Sequence, residues 1–221
     1  MDFSQKLYRY RYALMIIKLA VVLHIFVSSK DVQAILRYAF RVAVSHKTVC
    51  EWTKKFREEL PLLPVTYEND ETILLFADEK YVWIKKAQAY WWSVRDHLGN
   101  VLANLVTLRR DAASAQQLFR RAKVRLQQKV NAVIHDGLES YTKPVKSTFG
   151  RKCENIVAGI QGRFKLINHE LYWVTNNISE SLNAQIDVYL GKVHYNFNSL
   201  EEANHFAYTF LYRKHLRDAC S

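Results

Sequence analysis

The sequence predicts an α/β protein, with a helical N-terminal region ahead of a mixed β-sheet flanked by helices. Three observations carry that expectation. Apolar residues recur at helical spacing up to Pro61 and Pro64, where the texture changes. Three β-rich runs then follow in close succession, separated by short turn-rich joints. A helical stretch and one more short apolar run come next, the pattern of a crossover back into the same sheet.

The first helix is expected over residues 7–27. Its apolar stretch, YALMIIKLAVVLHIFV, falls short of the ~20 residues a spanning helix needs and is interrupted by Lys18 and His24. It also lacks the small-residue cleavage site of a secretory signal, so a mostly buried helix is expected. Ser29 can cap a second helix, with Asp31 in its first turn and Val32, Ile35, Leu36 and Ala39 on one face. Ser45 can cap a third, with Val49, Trp52, Thr53 and Phe56 facing inward. These two helices and the short connector at 40–44 match a helix-turn-helix, in which the third helix presents His46, Lys47, Cys50, Lys54 and Lys55 outward. A plain three-helix bundle with solvated lysines has the same periodicity.

Past the prolines, residues 73–84, 90–95 and 101–108 read as an antiparallel meander, turning at 96–100 between the last two. A helix is expected over 112–128, with Leu118, Ala122 and Leu126 inward. A short strand follows at 131–134, and further helices at 178–190 and 199–216. Two domains result, 1–62 and 71–221.

Composition narrows the partners. The 221 residues hold 32 Lys+Arg against 21 Asp+Glu, a net +11 that calls for a polyanion and leaves the fold open. More than half of that excess, +6, lies in residues 1–60. Six Gly and three Pro exclude a linker-rich or collagen-like chain. Cys50, Cys153 and Cys220 are far apart and form no CxxC pair, which argues against a disulfide scaffold or zinc site and fits a reducing cytoplasm.

Two carboxylates stand out. Asp78 lies inside an apolar β-run, where a charge is costly unless paired, hydrogen-bonded or bound to metal. Asp136 ends the other short apolar strand and precedes a glycine, a place where catalytic groups collect in α/β sheets. If the two strands are neighbours, the carboxylates meet and need a cation to stay ionised together. Hard oxygen ligands select Mg²⁺ or Mn²⁺, ions that drive phosphodiester chemistry. Glu79 adjoins Asp78, but strand alternation is expected to turn it to the opposite face. His135 is expected to pack, Tyr141 to fix the turn, and at least one of Trp91 and Trp92 to be core.

From residue 71 onward the chain resembles the DDE transposases of small bacterial and archaeal insertion sequences. The resemblance is carried by Ala77-Asp78-Glu79-Lys80-Tyr81-Val82, by residues 90–102, by Arg110-Asp111-Ala112, by His135-Asp136-Gly137 and the four residues after it, by Asn176-Asn177-Ile178-Ser179-Glu180, and by residues 196–200. The segments 29–32 and 44–49 are similar to the helix-turn-helix these proteins place ahead of their catalytic domain. The resemblance implies a ribonuclease H-like fold and a metal triad of Asp78, Asp136 and Glu180 holding two Mg²⁺ or Mn²⁺ ions. One ion would activate a water and later a DNA 3′-hydroxyl, and the other would stabilise the leaving oxygen. It further implies a nucleoid-associated cytoplasmic enzyme that binds double-stranded element ends and target DNA as a homodimer, cleaves, and transfers strands, with Ser45, His46, Lys47, Lys54 and Lys55 contacting DNA.

Three positions depart from the family pattern. Asp136 and Glu180 are 44 positions apart (180 − 136), more than is usual, and an extra hairpin or loop around 151–172 would absorb the excess. Asp187 stands seven residues after Glu180, where relatives often carry Lys or Arg. The joint at 85–89 lacks the usual glycine. The alternative reading is a catalytically degenerate or host-adopted transposase that acts as a DNA-binding protein. A nuclease of the same fold acting on RNA–DNA hybrids would have no use for a duplex-reading N-terminal region.

Overall fold

The structure is a computed structural model that describes residues 11–57, 60, 62, 64–68, 71–159, 161–191 and 196–218. The chain divides into two compact units, Met1–Leu62 and Leu63–Ser221.

The N-terminal unit is built from α1 (Leu14–Phe26), α2 (Ser29–Phe40) and α3 (His46–Phe56). The expected start of the first helix, at residues 7–10, lies outside the described residues, and 11–13 are not helical. Ser28, not Ser29, caps α2: its hydroxyl accepts from the Asp31 amide while the Asp31 carboxylate accepts from the Ser28 amide. The one-residue shift has a cause, because only a cap at Ser28 puts Asp31 at the third helical position, where this reciprocal pair closes. Ser45 caps α3 as expected, accepting from the Thr48 amide at 3.1 Å. Val49, Trp52, Thr53 and Phe56 form its buried stripe. Between α2 and α3, Arg41 takes a left-handed φ of 55°, so the turn closes without the glycine that usually fills this position. Among the described residues no helix is long and apolar enough to cross a membrane.

In the second unit β1 (Ile73–Ile84) pairs antiparallel with β2 (Ala87–Asp96), and β2 with β3 (Val101–Thr107). Helix α4 (Ala112–Arg125) then crosses to β4 (Val130–His135), parallel to β1. A 3-10 turn (Glu139–Tyr141) and α5 (Thr142–Phe149) lead to β5 (Glu154–Val157), parallel to β4. Next come the hairpin β6 (Arg163–Ile167) and β7 (Glu170–Val174), then α6 (Asn177–Leu190), the short β8 (Asn196–Phe197) and α7 (Leu200–Asp218). The sheet order is β3-β2-β1-β4-β5 with β8 also on β1, and β6-β7 form their own two-stranded sheet. Three antiparallel strands continued through a helix into parallel ones is the ribonuclease H-like arrangement.

Both faces of the sheet are covered, which decides the fate of the adjacent tryptophans. Trp92 stands edge-on to Tyr141 at 5.7 Å, in the core with Leu118 and Phe119 of α4. Trp91 points the other way and meets Phe210 of α7 at 6.2 Å. Both are fully buried. The hairpin β6–β7 lies between Asp136 and Glu180 and overlaps the segment where an extra hairpin or loop was expected. The turn from β1 to β2 is made by Lys85 and Lys86, both left-handed (φ 46° and 71°).

Candidate active site

The site grows out of an interruption in the pairing of β1. On the side away from β2, β1 pairs with β4 through Ile73–Phe76 and with β8 only at Trp83 and Ile84. Between those pairings, at residues 77–82, that side has no strand partner among the described residues. The last β1–β4 pair is Phe76 with Ile134, so Asp78 and Asp136 each follow by two residues at the mouth of the gap. Helix α6 packs against β1 here: the Asn183 amide nitrogen donates to Asp78 Oδ2 at 2.8 Å, and Lys80 pairs with Asp187 at 2.5 Å.

Asp78, Glu79 and Asp136 each offer a carboxylate oxygen, and the three oxygens lie within 4.8 Å of one another. Glu79 points to the face opposite Asp78, as expected, toward Tyr141 and Arg110, yet its carboxylate still reaches the cluster. Alternation turns successive side chains to opposite faces, but at an open strand edge nothing lies between the two. Beyond Phe76, β4 has stopped pairing, so a long carboxylate can reach the open edge from the other side. Glu79 is held there from below, accepting from Arg110 through both Nε (2.8 Å) and Nη2, and from the Tyr141 hydroxyl at 2.8 Å. The sequence signal that could have found this was Arg110, already part of the family motif, opposite an acid in β1.

Electrostatics follow from the crowding. Burial first, then the adjacent Glu79 and Asp136, push the Asp78 carboxyl up to about 7, against the hydrogen bonds from the Glu79 amide and Asn183. Burial also raises Glu79, opposed mainly by Arg110 and Tyr141. An all-oxygen set that is this costly to ionise suits a hard divalent cation.

The turn that aims Asp136 is fixed by its neighbours. His135 is buried, with Nε2 at 2.8 Å from Asn155 Oδ1 and Nδ1 accepting from the Gly137 amide at 3.0 Å. Burial lowers its pKa, so the neutral ring packs and organises the loop. Gly137 has φ +107°, and a Cβ there would sit 3.1 Å from Val157. Tyr141, expected at this turn, is fully buried and reaches across to Glu79.

Glu180 lies in the first turn of α6, exposed, and is not one of the three clustered acids. It precedes Asn183 by three residues, and such pairs are neighbours on a helix surface. Arg95 anchors this turn by donating to the Ile178 carbonyl at 3.2 Å. Glu139, the nearer acid in sequence, is exposed in the 3-10 turn and also stands outside the cluster. In the N-terminal unit, Ser45, Lys47, Lys54 and Lys55 are exposed and His46 is half-buried. Lys55 lies over the Phe56 ring at 5.6 Å.

A ribonuclease H-like sheet with clustered acids where β1 outruns β4 defines a class, the enzymes that use divalent metal to act on phosphodiesters. The family model DDE_Tnp_IS240, a DDE domain, matches residues 73–217. The chain therefore belongs to the DDE transposase family, whose members are metal-dependent polynucleotidyl transferases. No curated protein matches it. Similar solved structures include a chain in the cryo-electron microscopy structure of a simian T-cell lymphotropic virus intasome with PP2A regulatory subunit B56 gamma. That likeness has 10% identity and a TM-score of 0.45, and it covers 88% of this chain and 66% of that one.

Proposed function

We propose that the protein is a DDE transposase that binds the ends of an insertion sequence and catalyses DNA strand cleavage and strand transfer. The observation that carries this reading is the convergence of Asp78 and Asp136, with Glu79, at the gap beside β1. Asp78, Asp136 and Glu180 are the proposed ligands of two Mg²⁺ or Mn²⁺ ions. Support for Glu180 comes from Asn183, its neighbour on α6, which already touches Asp78. Bound divalent ions supply the charge that activates a hydroxyl and stabilises a leaving oxygen in displacement at phosphorus. The chain's own groups set the geometry. Arg110 and Tyr141 fix Glu79, His135 and Gly137 aim Asp136, and Arg95 ties the start of α6 to β2.

DNA would be held by α2 and α3 acting as a helix-turn-helix, with Ser45, His46, Lys47, Lys54 and Lys55 on the exposed side of α3, in a homodimer that pairs two ends. A cleft between α6 and α7 is lined by Arg213, Lys214 and Arg217, which adds cationic side chains from α7 beside the helix that carries Glu180. The position of Glu180 outside the cluster favours one second reading, a DNA-binding descendant that no longer cleaves.

An end-cleavage assay separates the two, using Mg²⁺ and the inverted repeats flanking the gene. Cleavage by the wild type, lost in Asp78→Ala, is expected. Equal cleavage by Asp78→Ala would sink the site assignment, and DNA binding without cleavage would favour the second reading.

A further inference from the structure

Asn183 is the residue of α6 that enters the acidic site, and no motif points to it. Its amide nitrogen donates to Asp78 Oδ2 at 2.8 Å, while its carboxamide oxygen is enclosed and has no hydrogen-bond partner. An enclosed carbonyl oxygen without a partner is costly, and native proteins keep few of them. Here it stands on the side chain that also contacts the most strongly perturbed carboxylate of the site. The other Asp78 oxygen, Oδ1, takes the Glu79 backbone amide at 3.0 Å, so Asn183 serves the one that remains.

We propose that Asn183 is a further oxygen ligand of the divalent-ion site, an inference that rests on the metal-site reading above. A half turn of the carboxamide exchanges its nitrogen and oxygen. The N–H group gives Asp78 a partial positive partner. With a cation beside Asp78, the rotated amide presents a neutral carbonyl oxygen, an ordinary hard ligand for Mg²⁺ or Mn²⁺. No helix movement is required. Lys80 and Asp187 clamp α6 to β1 one turn further along, at 2.5 Å, so the backbone of residue 183 is held while its amide turns. A neutral fourth donor also adds coordination without a further charge among three crowded carboxylates.

The test is Mn²⁺ binding to the full chain, followed by the electron paramagnetic resonance signal of free Mn²⁺. Asn183→Ala is expected to weaken binding by about tenfold or more. Asn183→Asp, which restores an oxygen at the same place, is expected to bind at least as tightly as wild type. Wild-type affinity in Asn183→Ala overturns the proposal. So does an Asn183→Asp protein that binds as weakly as the alanine variant, because the residue would then act only through the packing of Asp78. Asp78→Ala is measured alongside: if it binds Mn²⁺ like wild type, the metal-site reading itself fails, whatever Asn183 does.

Discussion

Asp78 concentrates the cost of the site in one side chain. Its carboxyl is raised from 3.8 to about 7 in the folded protein, chiefly by burial. Between those values the native state keeps a proton that the unfolded state has released, so stability falls as pH rises from about 4 to about 7 and levels off above. Thermal melts in EDTA at pH 5 and pH 8 check this, and the wild type should melt lower at pH 8. Asp78→Asn carries no such charge and should flatten the difference. A wild-type melt that rises over the same window contradicts the assignment. Adding Mn²⁺ at pH 8 should raise the wild-type midpoint and leave Asp78→Asn unchanged. Asp78 stood out in the sequence because an apolar strand tolerates no idle charge, and Asp136 because it ends the neighbouring strand before a glycine. Alternation put Glu79 on the opposite face but gave no sign that its carboxylate reaches the open edge beside Asp78, a fact fixed by where β4 ends. Asn183 was invisible, since its contact joins residues 105 positions apart.

At the level of elements, β1 was read from end to end, because apolar, aromatic and β-branched residues flank the central Asp78-Glu79-Lys80 on both sides. The later strand β5 and helix α5 escaped notice. They are four and eight residues long, too short for a period to declare itself. The β1–β2 turn shows what a missing glycine does. Lys85 and Lys86 both occupy left-handed backbone, the conformation of a two-residue hairpin turn that favours Asn-Gly. An L side chain there costs about 1 kcal/mol per residue. Lys86→Gly should therefore stabilise the protein by up to about 1 kcal/mol, a rise of about 2–4 °C for a chain of this size. A differential scanning melt that stays level or drops would show that neighbouring contacts already offset the strain. Lys80 and Asp187 make the complementary point: the acid that breaks the family's basic pattern in α6 has a local partner in β1.

For the molecule as a whole, charge and chemistry are divided between two units. The segment 1–60 carries +6 of the net +11, while the acids of the site lie in the second unit. Replacing Lys47, Lys54 and Lys55 together with alanine should weaken duplex binding and reduce the slope of log affinity against log salt by about two to three. Fluorescence anisotropy at several salt concentrations measures it, and an unchanged slope would mean the lysines are merely solvated. The order in which the polypeptide is made adds a consequence of the chain separation within the site. Asp78, Glu79 and Asp136 are complete once residue 136 has been added, but Glu180 is 44 positions later (180 − 136). At roughly 5–20 residues per second, several seconds of translation separate the two. A nascent chain thus holds three acids before it holds α6, and on the proposed triad phosphodiester chemistry waits until that helix has been made.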